Sequence, residues 1–327
     1  MKAVRAIGFG GPSVLAVAEL PDPVPGPGEI SIDVAYAAVG LIDVFMRQGL
    51  FKDMPGMPQP PFIPGLEVAG TVRALGKGVE GFVVGEPVVS MSGGSGTGGY
   101  ASVFVTPIHG VISLANTGID PVLAVAVVPN AAMAHVALTD VAHLKPGERV
   151  LIHGALGGFA AAFAGMAKYL GASQVVGTVR SSKLGAAART KLPYDRIVDS
   201  AALPDNLGEE RFDVVIDAVG GQVRDQSFAL MKPGSRLIVA GNASGDWTNQ
   251  VKTNDLWIGS VTIAGFSAGA YLPSHPQTVR PALEAALRAV AAGLCTTDVS
   301  VISFDDAVMA HERMESRALD GRIVLAP

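Results

Sequence analysis

Cysteine is almost missing from this chain: Cys295 is the only one among 327 residues. A lone thiol excludes an intrachain disulfide and the cysteine clusters that hold structural zinc. Charge is also scarce, at 16% of residues, with 24 Lys and Arg against 29 Asp and Glu for a net charge of −5. No basic stripe is present, so no nucleic-acid partner is expected. No long apolar leader follows Met1, which makes the cytoplasm the expected location. Two stretches, 121–139 and 151–167, contain no Asp, Glu, Lys or Arg. The first is interrupted by Pro129 and Asn130 and the second by glycines, so both read as buried core rather than as spans of a membrane. The six histidines (His109, His135, His143, His153, His275 and His311) show no metal-ligand spacing. Each reads as a loop or packing residue, and no metal is expected.

What is plentiful is apolar sequence, 49% of the chain, together with 40 glycines. That is enough for a large core, and the length suggests two domains. The most informative stretch runs from Arg149 to Ala160: a short apolar run, a glycine-rich turn and an alanine-rich segment. This is the order strand, tight loop, helix, which brings backbone N–H groups and a helix N-terminus up to a pyrophosphate. Read as G-x-G-x-x-G, its three positions are Ala155, Gly157 and Ala160, of which only the middle one is a glycine. Strand-like runs follow at 174–179, 196–199, 213–219, 235–241 and 260–265, with helix-like segments at 158–170, 183–191 and 222–231. That alternation predicts a doubly wound parallel sheet covered on both faces, with its ligand at the carboxyl ends of the strands. A nucleotide-free α/β domain with a glycine-rich packing turn is the alternative.

An acidic residue after the second strand of such a unit bonds the ribose diol of NAD, whereas basic residues accept the 2′-phosphate of NADP. Here the strand runs through Thr178 and Val179 into Arg180, Ser181, Ser182 and Lys183, without a carboxylate. Two cations and two hydroxyls favour NADPH. Arg180 and Lys183 as ordinary solvated cations are the other reading. The first 120 residues differ in texture, with strand-like runs at 30–36, 66–74 and 100–105 between glycine and proline clusters. The run 92–99 lacks the lysine of a phosphate loop and reads as a flexible loop. A helix at 281–292 and a strand at 322–325 close the chain. The expected arrangement is a cofactor domain at 123–266 inserted in a β-rich domain of 1–122 and 267–327, with the substrate cleft between them.

With these features in place, the chain resembles the medium-chain dehydrogenase/reductase superfamily, most closely its zinc-independent quinone oxidoreductase and enoyl reductase branch. Matching stretches lie at 23–29, 42–49, 61–70, 98–101, 144–148, 213–221, 241–245 and 315–325. The resemblance implies an α/β fold: a doubly wound parallel-sheet (Rossmann) cofactor domain inserted in a β-rich GroES-like catalytic domain. It also implies NADPH as cofactor, an apolar small-molecule substrate and a homodimer paired through the apolar run at 260–265. By the same resemblance Gly157, Gly158 and the start of the following helix at Phe159 hold the pyrophosphate, and Asn130 and Ala155 are further cofactor-binding positions. Thr178, Arg180, Ser181, Lys183 and Ser200 surround the adenosine ribose. Asn242, Ser244 and Gly265 lie toward the nicotinamide, and Arg317 reaches a phosphate.

Departures from that family gather where the chemistry belongs. Zinc-using relatives have a cysteine and a histidine near the positions of Gly40 and Leu66. Zinc-independent relatives have an asparagine at the position of Gly40, often a tyrosine near Phe45, and a polar residue at Met133. The expected substrate pocket of Gly40, Phe45, Phe62, Leu66, Met133 and Phe266 is therefore unusually apolar. Reduction of a polarised double bond requires the developing enolate to be stabilised and protonated. Water, Asp43, Tyr271 or the substrate itself are the available proton sources. Asp43 and Arg47 stand four apart in an expected helix, and an exposed i,i+4 pair is the simple reading of Arg47. The leading function is an NADPH-dependent reductase of α,β-unsaturated carbonyls or quinones. A redox-silent NADPH-binding protein and a tailoring enzyme catalysing a non-redox rearrangement are the rivals.

Overall fold

The structure, a computed structural model, describes every residue except 92–97, 318 and 320. Most of the glycine-rich run at 92–99 therefore lies outside the described residues. The chain divides into two compact units. One comprises 1–129, 275–284 and 297–327; the other comprises 130–274 and 285–296.

The second unit is built on a six-stranded sheet. Its order is Arg196–Asp199, Gln174–Val179, Arg149–His153, Phe212–Asp217, Met231–Val239 and Thr262–Gly265. Every neighbouring pair is parallel. Numbered along the chain, the strands read 3-2-1-4-5-6, so the winding direction reverses between Arg149–His153 and Phe212–Asp217. That reversal opens the crevice at the carboxyl ends where doubly wound sheets bind ligands. Leu151, Val176, Val215 and Leu237 form part of the core on one side of this sheet. The continuous β-branched runs suit strands covered on both faces. The expected helix at 183–191 is much shorter, a 3-10 turn at Ser181–Lys183 followed by Leu184–Ala187. The strand expected at 213–219 ends at Asp217, because Val219 and Gly220 turn back to bond its side chain.

The first unit is β-rich. A seven-stranded sheet carries, in order, Val299–Ser303, Arg322–Ala326, Glu29–Val39, Glu67–Leu75, Pro87–Met91 and Val111–Ser113, with Val103–Pro107 added on Glu29–Val39. All its pairs are antiparallel except Val299–Ser303 with Arg322–Ala326. A separate hairpin joins Lys2–Ala6 to Leu15–Glu19. The core contains Ile30, Ile32, Val68, Val72, Phe62 and Phe104. The apolar helix Pro121–Val136 continues through a wider turn at Ala137–Val141. By length and composition it could cross a membrane, but most of it is buried within the protein.

Candidate functional site

In the parallel-sheet unit the glycine loop follows the strand Arg149–His153. Gly154 has φ of +75°, a conformation glycine adopts without strain, and a Cβ there would meet the Val219 side chain at 3.0 Å. The loop then closes on itself, Gly157 N–H donating to Gly154 O at 2.8 Å. Ala155 is tied down twice, its N–H donating to Thr178 O and its carbonyl accepting the Tyr194 hydroxyl at 3.0 Å. Gly177 leaves room for this arrangement, since a Cβ there would stand 2.6 Å from Ala155 and 2.9 Å from the Tyr194 ring. Gly157 begins the helix Gly158–Tyr169 and supplies no side-chain cap, so the first-turn N–H groups have no side-chain acceptor. Asn130 holds the same turn through an amide donating to Gly158 O at 3.2 Å. Phe159 packs edge-on against Phe163.

Beneath the loop, His153 is fully buried between two hydroxyls. The Ser227 hydroxyl donates to Val223 O, so it must accept from His153 Nε2–H at 2.8 Å. Nδ1 is left to accept from the Thr178 hydroxyl at 2.9 Å. Burial pushes the imidazole down to about 4, and it is neutral. The Thr178 side chain is thus committed to the sheet interior. Thr178, one of the expected cofactor-binding residues, gives its hydroxyl proton to His153 inside the fold.

At the next strand end Asp217 is also buried. Oδ1 accepts from the N–H groups of Val219 and Gly220, both at 2.8 Å, and Oδ2 accepts from Arg224 Nε at 2.6 Å. Arg224 continues to Gly241 O at 3.0 Å. Gly220, with φ of +77°, lies so close to Asn242 that a Cβ would stand 2.3 Å from its Oδ1. Ser244 Oγ donates to Asn242 Oδ1 at 3.1 Å, and its backbone N–H bonds Val219 O at 2.7 Å. The expected residues Asn242 and Ser244 therefore sit together at the carboxyl edge. Gly265, which ends the last strand, is exposed there. Phe266 is buried against Tyr271, ring centroids 5.8 Å apart, while Tyr271 and Met133 are half-buried. Arg180 and Ser181 are exposed and Lys183 is half-buried at the end of the second strand.

The β-rich unit brings together a second set of residues. Gly40 starts the helix Leu41–Gln48, and Asp43 turns back to accept the Gly40 N–H at 2.7 Å. Its other oxygen accepts the Gly65 N–H at 3.2 Å, and the Tyr100 hydroxyl donates at 3.2 Å. The Tyr100 hydroxyl oxygen in turn lies 3.3 Å from His311 Nε2. Asp43 is only 2% exposed. Burial raises its carboxyl from 3.8 to about 7, against the lowering effect of its backbone donors. Burial and the nearby Arg47 charge push His311 down to about 3. Gly65, φ +96°, makes this packing possible, because a Cβ would meet Tyr100 at 2.5 Å.

This geometry corrects three expectations. Asp43 and Arg47 are not an exposed pair: both are buried, and Arg47 bonds Glu315 from the C-terminal helix instead. Asp43 is a clamp on the Gly40 and Gly65 backbone rather than a free acid. Phe62 belongs to the core, packed against Phe9 at 6.4 Å, because its backbone pairs with Ala6 and turns the ring inward. Phe45 and Leu66, both expected in the pocket, are half-buried, and Phe45 lies edge-on to Phe51 at 6.3 Å. Arg317 is exposed just beyond the helix Ala307–Glu315, with φ of +54°. Tyr194, Tyr100, Glu67 and His311 were not legible as site-supporting residues in the sequence. Glu67 pairs with Arg322 at 2.6 Å, 255 positions away. Among the described residues no group of three or more His, Cys, Asp or Glu is placed to hold a metal.

Two family models match the chain: the alcohol dehydrogenase GroES-like domain over residues 26–116 and the zinc-binding dehydrogenase over residues 170–325. A human synaptic vesicle membrane protein VAT-1 homolog-like protein is 31% identical over 75% of this chain. The match spans only 57% of that relative's length. A 2-haloacrylate reductase from Burkholderia sp is 27% identical over 97% of this chain and 96% of its own. Escherichia coli quinone oxidoreductase, solved in complex with NADPH, superposes with a TM-score of 0.86 at 26% identity, covering 100% of both chains.

Proposed function

The chain belongs to the medium-chain dehydrogenase/reductase superfamily, in its quinone oxidoreductase branch, and from that premise we propose that it is an NADPH-dependent reductase of α,β-unsaturated carbonyls or quinones. The observation that carries the reading is the backbone cradle at Gly154–Gly158. Its helix lacks a side-chain cap, and its first-turn N–H groups are open to a pyrophosphate. The NADPH complex of the Escherichia coli relative supports the choice of cofactor. When bound, NADPH supplies a hydride to the electrophilic carbon of the substrate, and a proton from solvent completes the reduction at the neighbouring carbon or oxygen.

In this reading Gly158 and Phe159 receive the pyrophosphate on backbone donors, while Gly157, whose own N–H is bonded to Gly154 O, lets it approach the chain without a side chain in the way. Asp217 and Arg224 fix the turn that presents Gly220, Asn242 and Ser244. Met133 and Tyr271 are the substrate-facing positions of the parallel-sheet unit, and their largely apolar character selects a hydrophobic substrate. Tyr271 is the one proton-bearing side chain among them, with water as its competitor. The residues do not fit a catalytic zinc: Gly40 and Leu66 offer no ligand atom, and Glu67 is bonded to Arg322. The protein acts without zinc.

A homodimer completes the proposal. Among the described strands, Thr262–Gly265 pairs only with Met231–Val239, leaving an open sheet edge. The helix Thr253–Gly259 just before it has no buried residue and exposes Trp257 and Ile258, 78% and 76% accessible. A second copy pairing there would extend the sheet and cover both side chains.

The rival reading, a redox-silent NADPH-binding protein or a non-redox tailoring enzyme, draws on the burial of Asp43, an expected proton source whose carboxyl is already bonded to Gly40, Gly65 and Tyr100. Titration with NADPH, then following reduced-nicotinamide absorbance with enones, enoyl thioesters and quinones, decides between them. The expected result is NADPH binding with oxidation by one substrate class. Binding without oxidation by any of them would shift the assignment to the rival, and failure to bind would sink the cofactor site.

A further inference from the structure

The strand that ends at Val179 carries no carboxylate, but its neighbour does. Gln174–Val179 and Arg196–Asp199 run parallel with Asp199 in register with Val179. The two chain segments therefore leave the sheet side by side, one into Arg180–Lys183 and the other into Ser200. Asp199 is held at this spot. Oδ1 accepts from Ala201 N–H at 2.9 Å, and Asn206 Nδ2 donates to the Asp199 carbonyl at 2.6 Å. The Ser181 hydroxyl donates to the same carboxylate, and together these donors hold it below the ordinary aspartate range. The serine expected to meet a 2′-phosphate is thus already bonded to an anion.

We infer that Asp199 is a specificity-determining residue of the cofactor site, accepting the ribose 2′-hydroxyl of NADH and opposing the 2′-phosphate of NADPH. The inference rests on the reductase reading. A carboxylate accepts from a hydroxyl, whereas a phosphate entering beside it must take the Ser181 hydrogen and add like charge. Arg180 and Lys183 supply the compensating attraction. The chain consequently binds both reduced nucleotides, and Asp199 sets their ratio.

The test is calorimetric titration of the full chain with NADPH and with NADH, comparing wild type, Asp199→Asn and Ser181→Ala. Asparagine keeps the acceptor for Ala201 N–H, so the turn is retained. Removing one charge next to a near-dianion in water is expected to tighten NADPH about tenfold, with NADH unchanged or weaker. Ser181→Ala is expected to move the ratio the other way, since a donor to the phosphate is lost. If wild type binds and the ratio in Asp199→Asn stays at the wild-type value, Asp199 has no such role while the cofactor reading stands. If wild type binds neither nucleotide, both fall together.

Discussion

His153 in the parallel-sheet unit and Asp43 in the β-rich unit are both buried titratable groups, yet they are supported in opposite ways. His153 is neutral, and each ring nitrogen meets a hydroxyl of matching polarity. Asp43 has three donors but no cation of its own, because the buried Arg47 is bonded to Glu315. Around it Arg47 Nε, Arg47 Nη1 and His311 Nδ1 have no hydrogen-bond partner. A neutral imidazole can be buried at small cost by two hydroxyls, whereas a carboxylate surrounded by neutral donors keeps much of its desolvation penalty. The parallel sheet achieves its balance with residues at neighbouring strand ends. The β-rich unit has to assemble its cluster from positions 40, 43, 65, 100 and 311.

The sharpest way to break this comparison is through pH. Asp43 titrates at about 7 in the fold and near 3.8 in the unfolded chain. Between those values the folded protein holds the extra proton, so stability is highest below about pH 4 from this group and falls as pH rises to about 7. Across that window the contribution is about 4 kcal/mol. His153 acts in the opposite sense, since its folded value of about 4 lies below the ordinary 6.5. The stability it contributes is full above about 6.5 and is lost as pH falls toward about 4. Urea unfolding across pH is therefore expected to show stability rising more steeply from about pH 4 to 7 in the Asp43→Asn variant than in wild type, where the Asp43 contribution offsets that of His153. A variant with the wild-type profile would mean that Asp43 is not the buried acid.

Asp217→Asn probes the ion-paired case. It leaves the Arg224 guanidinium without its carboxylate, and the expected loss is about 3 kcal/mol by urea titration. A loss well under 1 kcal/mol would show that Gly241 O and water suffice for Arg224. The smallest effect is expected from Thr178→Val, which deprives His153 Nδ1 of its donor in a nearly isosteric pocket. About 1 kcal/mol is expected, with NADPH affinity unchanged because Thr178 faces the sheet interior. A large drop in NADPH affinity would return Thr178 to the cofactor.

Much of the cofactor unit could be read directly from the chain. Arg149–His153, Gln174–Val179 and Arg196–Asp199 have the bounds expected of them, because a strand of a parallel sheet is a short, mainly apolar run that breaks off at a turn. The glycine loop was legible for the same reason, as its conformation is local. The C-terminal strand and the helix Val279–Ala291 also lie where periodicity put them. The substrate side was read less well. Phe62 has the type and neighbourhood of a pocket residue, but its backbone pairing with Ala6 turns it into the core. Arg47 had a partner four residues away by helical spacing, and found one 268 positions away.

The sequence by itself determined the periodic elements, the glycine loop and the family, since these depend on interactions within a few residues. Only the tertiary structure decided which charged groups are buried together. It turned Asp43 inward, spent Thr178 on His153, and brought Asp199 beside Ser181 from an adjacent strand. The physical reason is that desolvation and hydrogen bonding act through space. A side chain's ionisation and availability are set by neighbours whose distance along the chain carries no signal.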